Sequence, residues 1–550
     1  MGRRRIGSFW LALEVPMSRL ILMCLVAAFA LMRQLPAVGQ KEAPLDRPKG
    51  RTSAFEVVPN NLDARISHNV PEFEREFPQR GATVAVAIFD EGRILATHQE
   101  FQKNSVSRIV AKTAKPTARH STHCAGTVGA VGVKPIAIGM ATMVKIFSYD
   151  WDNDAQKLQN DADNFQVSSH SYGPLSGWVR GFPKAGIWNW WGGLNDNEDS
   201  RYGKYTDDCS PFDEVLFQKP NVTTFFAAGN DRGNAPLSQP TTHFVVETNS
   251  FSSKVRPRIG GTTGLDSISG TGLAKNVICI GAVNDIPQGA GTNAIQITSF
   301  SGVGPADDGR IKPDLVANGF QLVSTSNASN SAYVEMSGTS MATPTAAGIG
   351  ALLCELYKDT NSRAATSAEI KATLIHSARD GGVAGPDPQY GWGSIDALAA
   401  GKLIQGTQGQ LVDDPSKNSV GANETKTFTM TVNGEPIRVT VVWTDPAAAP
   451  NSGGIDDATP ALQNDLDVRV ISPSGAVFQP YSLDLANIWN ATTNLPNPAR
   501  KDRPNRVDNV EVIDAPSAAG EWKIEVKGFK LKVGEKQSFA LAVTGLKPVQ

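Results

Sequence analysis

The sequence predicts an α/β domain built on a parallel sheet with helices on both faces, followed by an antiparallel β-sandwich domain. Two observations carry this. From Ala82 onward, short apolar runs alternate with small-residue helical stretches, the texture of strands buried on both faces. After about Leu403 polar and apolar residues mostly alternate, with turn signals and no convincing helix between the runs. Size agrees, because 550 residues is too much chain for one ordinary core.

Composition narrows the class. With 40% hydrophobic and 19% charged residues, Gly 51 and Pro 34, the chain is globular, which excludes collagen, coiled coil and wholesale disorder. Lys+Arg 52 against Asp+Glu 54 leaves a net charge of -2, so no global field draws it to nucleic acid or anionic lipid.

Residues 1–39 read as a signal peptide. Arg3, Arg4, Arg5 and Arg19 precede an apolar run from Leu20 to Met32, and Ala37-Val38-Gly39 offers small residues for cleavage before Gln40. The run of 13 residues is shorter than the roughly 20 a spanning helix needs, though an uncleaved anchor stays open. Met17 is an alternative start. The expected product is exported, secreted or periplasmic, and free of the membrane once the signal is removed.

Residues 40–80 contain Pro44, Pro48, Pro59, Pro71 and Pro78 and read as a lead-in or short pro-segment rather than core. The α/β domain is expected over 81–404, with strands in Thr83–Phe89, Met143–Phe147, Val222–Phe226 and Val277–Ile280 and a helix over Met341–Tyr357. The sandwich is expected over 405–550. Its strands are Lys426–Val432, Ile437–Trp443, Asp467–Ile471, Trp522–Val526 and Ser538–Val543, punctuated by Asn433-Gly434 and Ser474-Gly475.

Cys24 leaves with the signal. Cys124, Cys209, Cys279 and Cys354 remain, an even count that permits two disulfides in an exported protein. Cys279 and Cys354 lie in core-like runs, so buried free thiols stay open as well, and the spacing resembles no zinc site.

Three segments carry chemistry. Val84–Asp90 ends a buried strand on a carboxylate, a frequent place for catalytic groups in α/β sheets. His120–Val128 opens a small-residue helix with a histidine at its mouth. Ser337-Gly338-Thr339-Ser340-Met341-Ala342-Thr343-Pro344 does the same with a serine, Gly338 allowing close backbone approach and Pro344 expected in the first turn. Singly, each admits a plain structural reading: a turn Asp, a structural His, a Ser N-cap. Together, and in this order, they resemble the subtilisin-like serine proteases, the subtilase family.

The resemblance implies a subtilisin-like fold and a secreted serine endopeptidase acting on polypeptides through an acyl-enzyme. Ser340 would be the nucleophile, His120 its base, and Asp90 the group that orients and stabilises the imidazolium. His123 is the competing histidine, implied to be structural. Phe225–Asn230 reads as a strand running into a Gly-Asn turn; the family's matching asparagine binds the oxyanion, so Asn230 takes that role, next to Gly229, with Ser340 N–H as second donor. Losing one such donor costs about 10²–10³ in turnover within this family. Ser171, Tyr172 and Gly173 would pair with an extended substrate as an added strand. Asp231 would border the primary specificity pocket, an inference that Arg232 beside it weakens. The match spans about 82–403, including Ser299–Pro305, Ile311–Leu315 and Gln389–Asp396. The sandwich, with Val442–Pro446 and Asn464–Asp467, resembles the C-terminal domain of the oxidatively stable alkaline subtilases.

Some positions depart from the family. Ser121 stands where glycine usually follows the histidine. Cys124 falls where some members carry a buried thiol, which predicts sensitivity to mercurials. Trp178, Trp188, Trp190 and Trp191 occupy a lengthened segment, where they line an extended cleft or, the preferred reading, fasten the insertion itself. The lead-in is too short for the usual folded pro-domain.

No cofactor is required for the chemistry. Structural calcium is admitted by the family without ligands being named: Asp150, Asp152 and Asp154 alternate, but Ala155 replaces the glycine of an EF-hand and an acid-rich helix start is the preferred reading, with Asp465 and Asp467 a second candidate. A monomer is expected. An α/β-hydrolase esterase is disfavoured, because it requires G-x-S-x-G and places serine first. The alternative from another class is a catalytically silent relative that binds through its sandwich.

Overall fold

The computed structural model describes residues 60–412, 418–432 and 434–548. The signal-peptide reading of 1–39, residues 40–59 of the lead-in and Asn433 lie outside the described residues.

Seven strands form the central sheet: β1 (Ala85–Asp90), β2 (Ile109–Ala111), β3 (Lys145–Asp150), β4 (Val167–His170), β5 (Thr223–Ala227), β6 (Ile278–Val283) and β7 (Leu315–Asn318). They run parallel in the order β7-β6-β5-β4-β1-β3-β2. Every residue of β1, β4, β5, β6 and β7 is buried, as continuous apolar runs require of strands covered on both sides. The order reverses at β1, which lies between β3 and β4. In open parallel sheets such a reversal opens a crevice at the carboxyl ends of the strands, and Asp90 is the last residue of β1.

The lead-in reading needs correcting. Residues 61–76 form two short helices, α1 (Asn61–Ser67) and α2 (Val70–Glu76), whose Ala64, Val70 and Phe73 enter the main core. His68, between them, is locked: its Nδ1 meets Ile395 O at 2.8 Å and its Nε2 accepts Asn318 N–H at 2.8 Å. Helices of 7 residues are too short to display a period, and Pro71 simply occupies the first turn of α2.

Two further helices frame the crevice. α3 (Arg119–Gly129) is the histidine helix, and α6 (Thr339–Asn361) is the serine helix. Between them in sequence come α4 (Asp154–Asp161) and α5 (Ser210–Gln218). α6 is buried almost throughout, and its small residues permit that: a Cβ on Gly348 would press on Met140, and one on Gly350 on the Phe225 ring.

The tryptophans fasten their own insertion. Trp178–Arg180, Trp188–Trp190, His243–Val245 and Ser250–Ser252 form a separate four-stranded sheet. Trp178 and Trp190 are buried in it edge-to-face at 5.0 Å, together with Tyr202, Val245 and Ile259.

The C-terminal strands make the predicted sandwich. One sheet joins Gln410–Leu411, Ala540–Thr544, Ile437–Val442 and Val510–Ala515. The other joins Val477–Phe478, Asn464–Ile471, Glu521–Leu531, Thr425–Val432 and Leu546–Pro548, and the pairings in both are antiparallel. Val439, Val441, Trp443, Trp522 and Ile524 fill the space between them. The first sheet also turns Val442, Val510, Val512 and Ala540 toward the main core, so it is covered on both faces. His376, the last residue of α7 (Ser367–His376), seals the junction through Thr440 Oγ1 at 2.9 Å and Thr544 Oγ1 at 2.6 Å.

Candidate active site

Asp90 is fully buried, and His120, in the first turn of α3, reaches down to it. His120 Nδ1 lies 2.9 Å from each Asp90 carboxylate oxygen. That bond occupies Nδ1 and leaves Nε2 for other work. Burial opposes a charged imidazolium, but the Asp90 carboxylate against it prevails and holds the His120 pKa well above its ordinary value. His123 faces away, its Nε2 bonded to Leu322 O at 2.9 Å, and burial pulls its pKa down to about 4. Ser121, in the place of the family's glycine, is buried without crowding, because its hydroxyl accepts the Gly92 N–H at 3.3 Å.

Ser340 sits in the first turn of α6, where backbone N–H groups have no intrahelical acceptor and the helix dipole is positive. Its hydroxyl donates to Ser171 O at 3.1 Å; no hydrogen bond to His120 stands among the described residues. Pro344 belongs to the second turn, not the first as expected. Lacking an N–H, it leaves the Ser340 carbonyl, four residues back, without its helical partner. Ser171 Oγ, at 3.1 Å, and Cys124 Sγ, at 3.4 Å, donate to that carbonyl instead.

Asn230 is oriented by a residue that the motif reading passed over. Thr339 N–H, at 2.8 Å, and Thr339 Oγ1, at 3.0 Å, both donate to Asn230 Oδ1. A backbone N–H can only donate, so the amide oxygen must face it and Nδ2 is the donor end. The Gly229 N–H in turn donates to Thr339 Oγ1 at 3.2 Å, and Gly229 holds a φ of +96° that suits glycine. A Cβ on Gly338 would stand 3.3 Å from Asn230 Nδ2 and 3.6 Å from Ser340 N, so the glycine keeps the ground between two N–H donors open.

The stretch 171–173 follows directly on β4. Tyr172 is pinned from below: its hydroxyl donates to Asp154 Oδ2 at 2.5 Å and meets His170 Nδ1 at 2.7 Å. His170 is sandwiched between the Phe89 and Phe226 rings, and burial keeps it neutral. A Cβ on Gly173 would meet nothing within 4 Å, so this segment borders open space. Asp231 is half-buried, and burial raises its pKa to about 6 against a bond from Asn234. Arg232 turns away to the carbonyls of Thr298 and Ser299, so it does not neutralise its neighbour.

The sequence profile of the Subtilase family matches residues 81–393. The chain belongs to the subtilase family. This subtilase is 28% identical over 278 residues to serine protease/ABC transporter B family protein tagA of Dictyostelium discoideum, covering 44% of this chain and 15% of that one. It is 34% identical over 155 residues to serine protease AprX of Bacillus subtilis, covering 25% and 33%. Against tagB of Dictyostelium discoideum it is 24% identical over 536 residues, covering 76% and 27%. The subtilase thus spans a third or less of the length of these relatives. Among solved structures, the prenylagaramide maturation protease PagA matches with a TM-score of 0.40 and 16% identity, over 61% of this chain and 98% of that one.

Cys124, Cys209, Cys279 and Cys354, the four cysteines among the described residues, are free and buried, so neither of the two disulfides that their even count permitted is formed. Cys124 lies 3.9 Å from His120 Nδ1, and burial raises its pKa, so it is a neutral thiol. The acids first considered for calcium have partners: Asp150 with Lys157 and Lys115, Asp152 with Lys115, Asp154 with Tyr172, and both Asp465 and Asp467 with Arg506. No described helix is long and apolar enough to cross a membrane.

Proposed function

We propose that this subtilase is an exported serine endopeptidase that cleaves polypeptides through an acyl-enzyme. The observation that carries the reading is the convergence, at the carboxyl end of β1, of the Asp90–His120 pair with a serine at a helix start beside Asn230. In this reading Ser340 Oγ leaves Ser171 O, gives its proton to His120 Nε2 and attacks the scissile carbonyl carbon. The carbonyl π pair moves onto oxygen, and Asn230 Nδ2 with Ser340 N–H receive the oxyanion. Collapse expels the amine, which takes the proton from His120. Water then repeats the sequence on the acyl-serine. Ser171, Tyr172 and Gly173 hold the substrate chain beside the nucleophile.

The serine's bond to Ser171 O, rather than to His120, is what a catalytically silent relative would also display. A fluorophosphonate probe on the full chain separates the two readings. Labelling that disappears in Ser340→Ala supports an activated serine. A folded, processed protein that does not label is the silent relative.

A further inference from the structure

Asp90, His120 and Cys124 present a carboxylate oxygen, an imidazole nitrogen and a sulfur that all lie within 4.8 Å of one another. Folding assembles the set. His120 and Cys124 stand four residues apart on α3, hence on one face of it, and Asp90 meets them from the end of β1. Among the described residues, this is the one group that joins all three donor types at such range.

The distances fit a small metal ion. Tetrahedral zinc, with bonds of about 2.0–2.3 Å, sets neighbouring ligand atoms about 3.3–3.8 Å apart. His120 Nδ1 lies 2.9 Å from each Asp90 oxygen and 3.9 Å from Cys124 Sγ. Both separations are within about half an ångström of that spacing.

A second observation is independent of these side chains. The Ser340 carbonyl, left without a helical N–H by Pro344, stands 3.4 Å from Cys124 Sγ, while Ser171 Oγ takes its other lone pair. A fourth oxygen is thus already turned toward the thiol. The other described cysteines lack such company: Cys209 Sγ is bonded to Gly270 O, and none of the three belongs to a cluster of this kind.

Charge favours the same ion. One carboxylate and one thiolate cancel Zn²⁺, so the enclosed site is neutral and burial does not oppose it. Sulfur and nitrogen donors select zinc over calcium or magnesium. Asp90 and Cys124 are fully buried, and of the three only His120, its side chain 23% exposed, reaches solvent. A metal ion therefore enters past the imidazole, and binding is slow.

We propose that Asp90, His120 and Cys124 form an inhibitory zinc site within the candidate active site. The thiol proton goes to solvent as sulfur takes the metal, and the imidazole proton leaves Nδ1 for Nε2. With Nε2 protonated, His120 has no lone pair to accept the proton of Ser340, so the hydroxyl is not activated. Removing the metal reverses both steps. The inhibition rests on the endopeptidase reading; the binding of metal does not.

The test starts with the full chain carrying Ser340→Ala, to prevent self-digestion, cleared of metal with EDTA and then of the chelator. Cobalt chloride should bring up a cobalt–thiolate charge-transfer band, and zinc chloride should abolish it at one equivalent. By calorimetry one zinc should bind. Cys124→Ala, His120→Ala and Asp90→Asn should each weaken it by at least about a hundredfold, the upper end of what lost outer-shell support costs. Thermal melting without metal shows that each variant is folded. With Ser340 intact, zinc should block fluorophosphonate labelling, EDTA should restore it, and Cys124→Ala should label in zinc. A missing cobalt band would overturn the site. So would undiminished zinc binding in Cys124→Ala, which puts the ion elsewhere, or in both His120→Ala and Asp90→Asn, which leaves a bare thiol contact. Labelling that persists with zinc bound would overturn the inhibition. A chain that shows the band but never labels upholds the site and fails the endopeptidase reading instead.

Discussion

Ser171 and Ser340 exchange two hydrogen bonds of 3.1 Å: the Ser340 hydroxyl donates to the Ser171 carbonyl, and the Ser171 hydroxyl to the Ser340 carbonyl. The second is open only because Pro344 supplies no N–H to that carbonyl. Ser340, the proposed nucleophile, is thus tied to the segment after β4 that is proposed to hold the substrate. Replacing Ser171 with Ala removes one tie and leaves the carbonyl acceptor. We expect a stability loss of about 1 kcal/mol, read from urea unfolding of the Ser340→Ala background, with Ser340 still labelled by fluorophosphonate in the active form.

In the proposed reaction His120 is the base, and the acid limb of activity should follow from its pKa. Asp90 raises its pKa, so the neutral base needed for proton abstraction is populated only above the ordinary histidine range, and kcat/KM should climb into alkaline pH. The stability linkage has the opposite sense. The ion pair's contribution is complete below the unfolded histidine pKa and is lost as pH rises through the higher folded value. Asp90→Asn should cut kcat by about 10⁴, measured on a peptide substrate.

Asn230→Ala removes a donor and frees Thr339 N–H from its acceptor. A fall of about 10²–10³ in kcat with little change in KM is expected. A change confined to KM would place Asn230 in binding rather than in oxyanion stabilisation.

Asp231, unopposed by Arg232, predicts a preference for a basic side chain ahead of the scissile bond at pH above about 6, where its carboxyl is charged. In Asp231→Asn the advantage of lysine over leucine peptides should shrink by about fivefold, the worth of a partly exposed ion pair.

Lys275 and Asp445 form a fully buried pair at 2.7 Å that joins the two domains, with Asp213 3.7 Å from the same ammonium. Lys275→Met leaves two enclosed carboxylates without a counter-charge. The expected cost is about 3–5 kcal/mol, read as a shift in the urea midpoint.

Mercurial treatment should inactivate the enzyme slowly through Cys124, which lies between His120 and the Ser340 carbonyl, and Cys124→Ala should resist. Cys209, Cys279 and Cys354 are equally buried and do not touch His120 or Ser340.

The strands and the serine helix were legible because buried runs such as Val277–Ile280 and the small-residue stretch after Ser340 have one physical use each: a strand covered on both faces, and a helix that packs close to it. The candidate site was legible because its chemistry needs particular residue types at motif spacing. Thr339 was not, since a threonine between glycine and serine carries no sign that it will orient an asparagine more than a hundred residues earlier. Nor were α1 and α2, where proline and polar residues mask an apolar face only two turns long.

By itself, then, the sequence determined the order of domains, the acid, base and nucleophile candidates, and the absence of a spacing suited to zinc. These are local properties, set by residue type and by period along the chain. Tertiary structure alone decided that the four described cysteines stay apart, that Arg232 turns from Asp231, that Arg506 answers Asp465 and Asp467, and that Glu198, Asp266 and Asp456 meet. Each depends on which distant segments share a volume from which water is excluded, and there the cost of an unpaired polar group is settled by neighbours that spacing along the chain does not reveal.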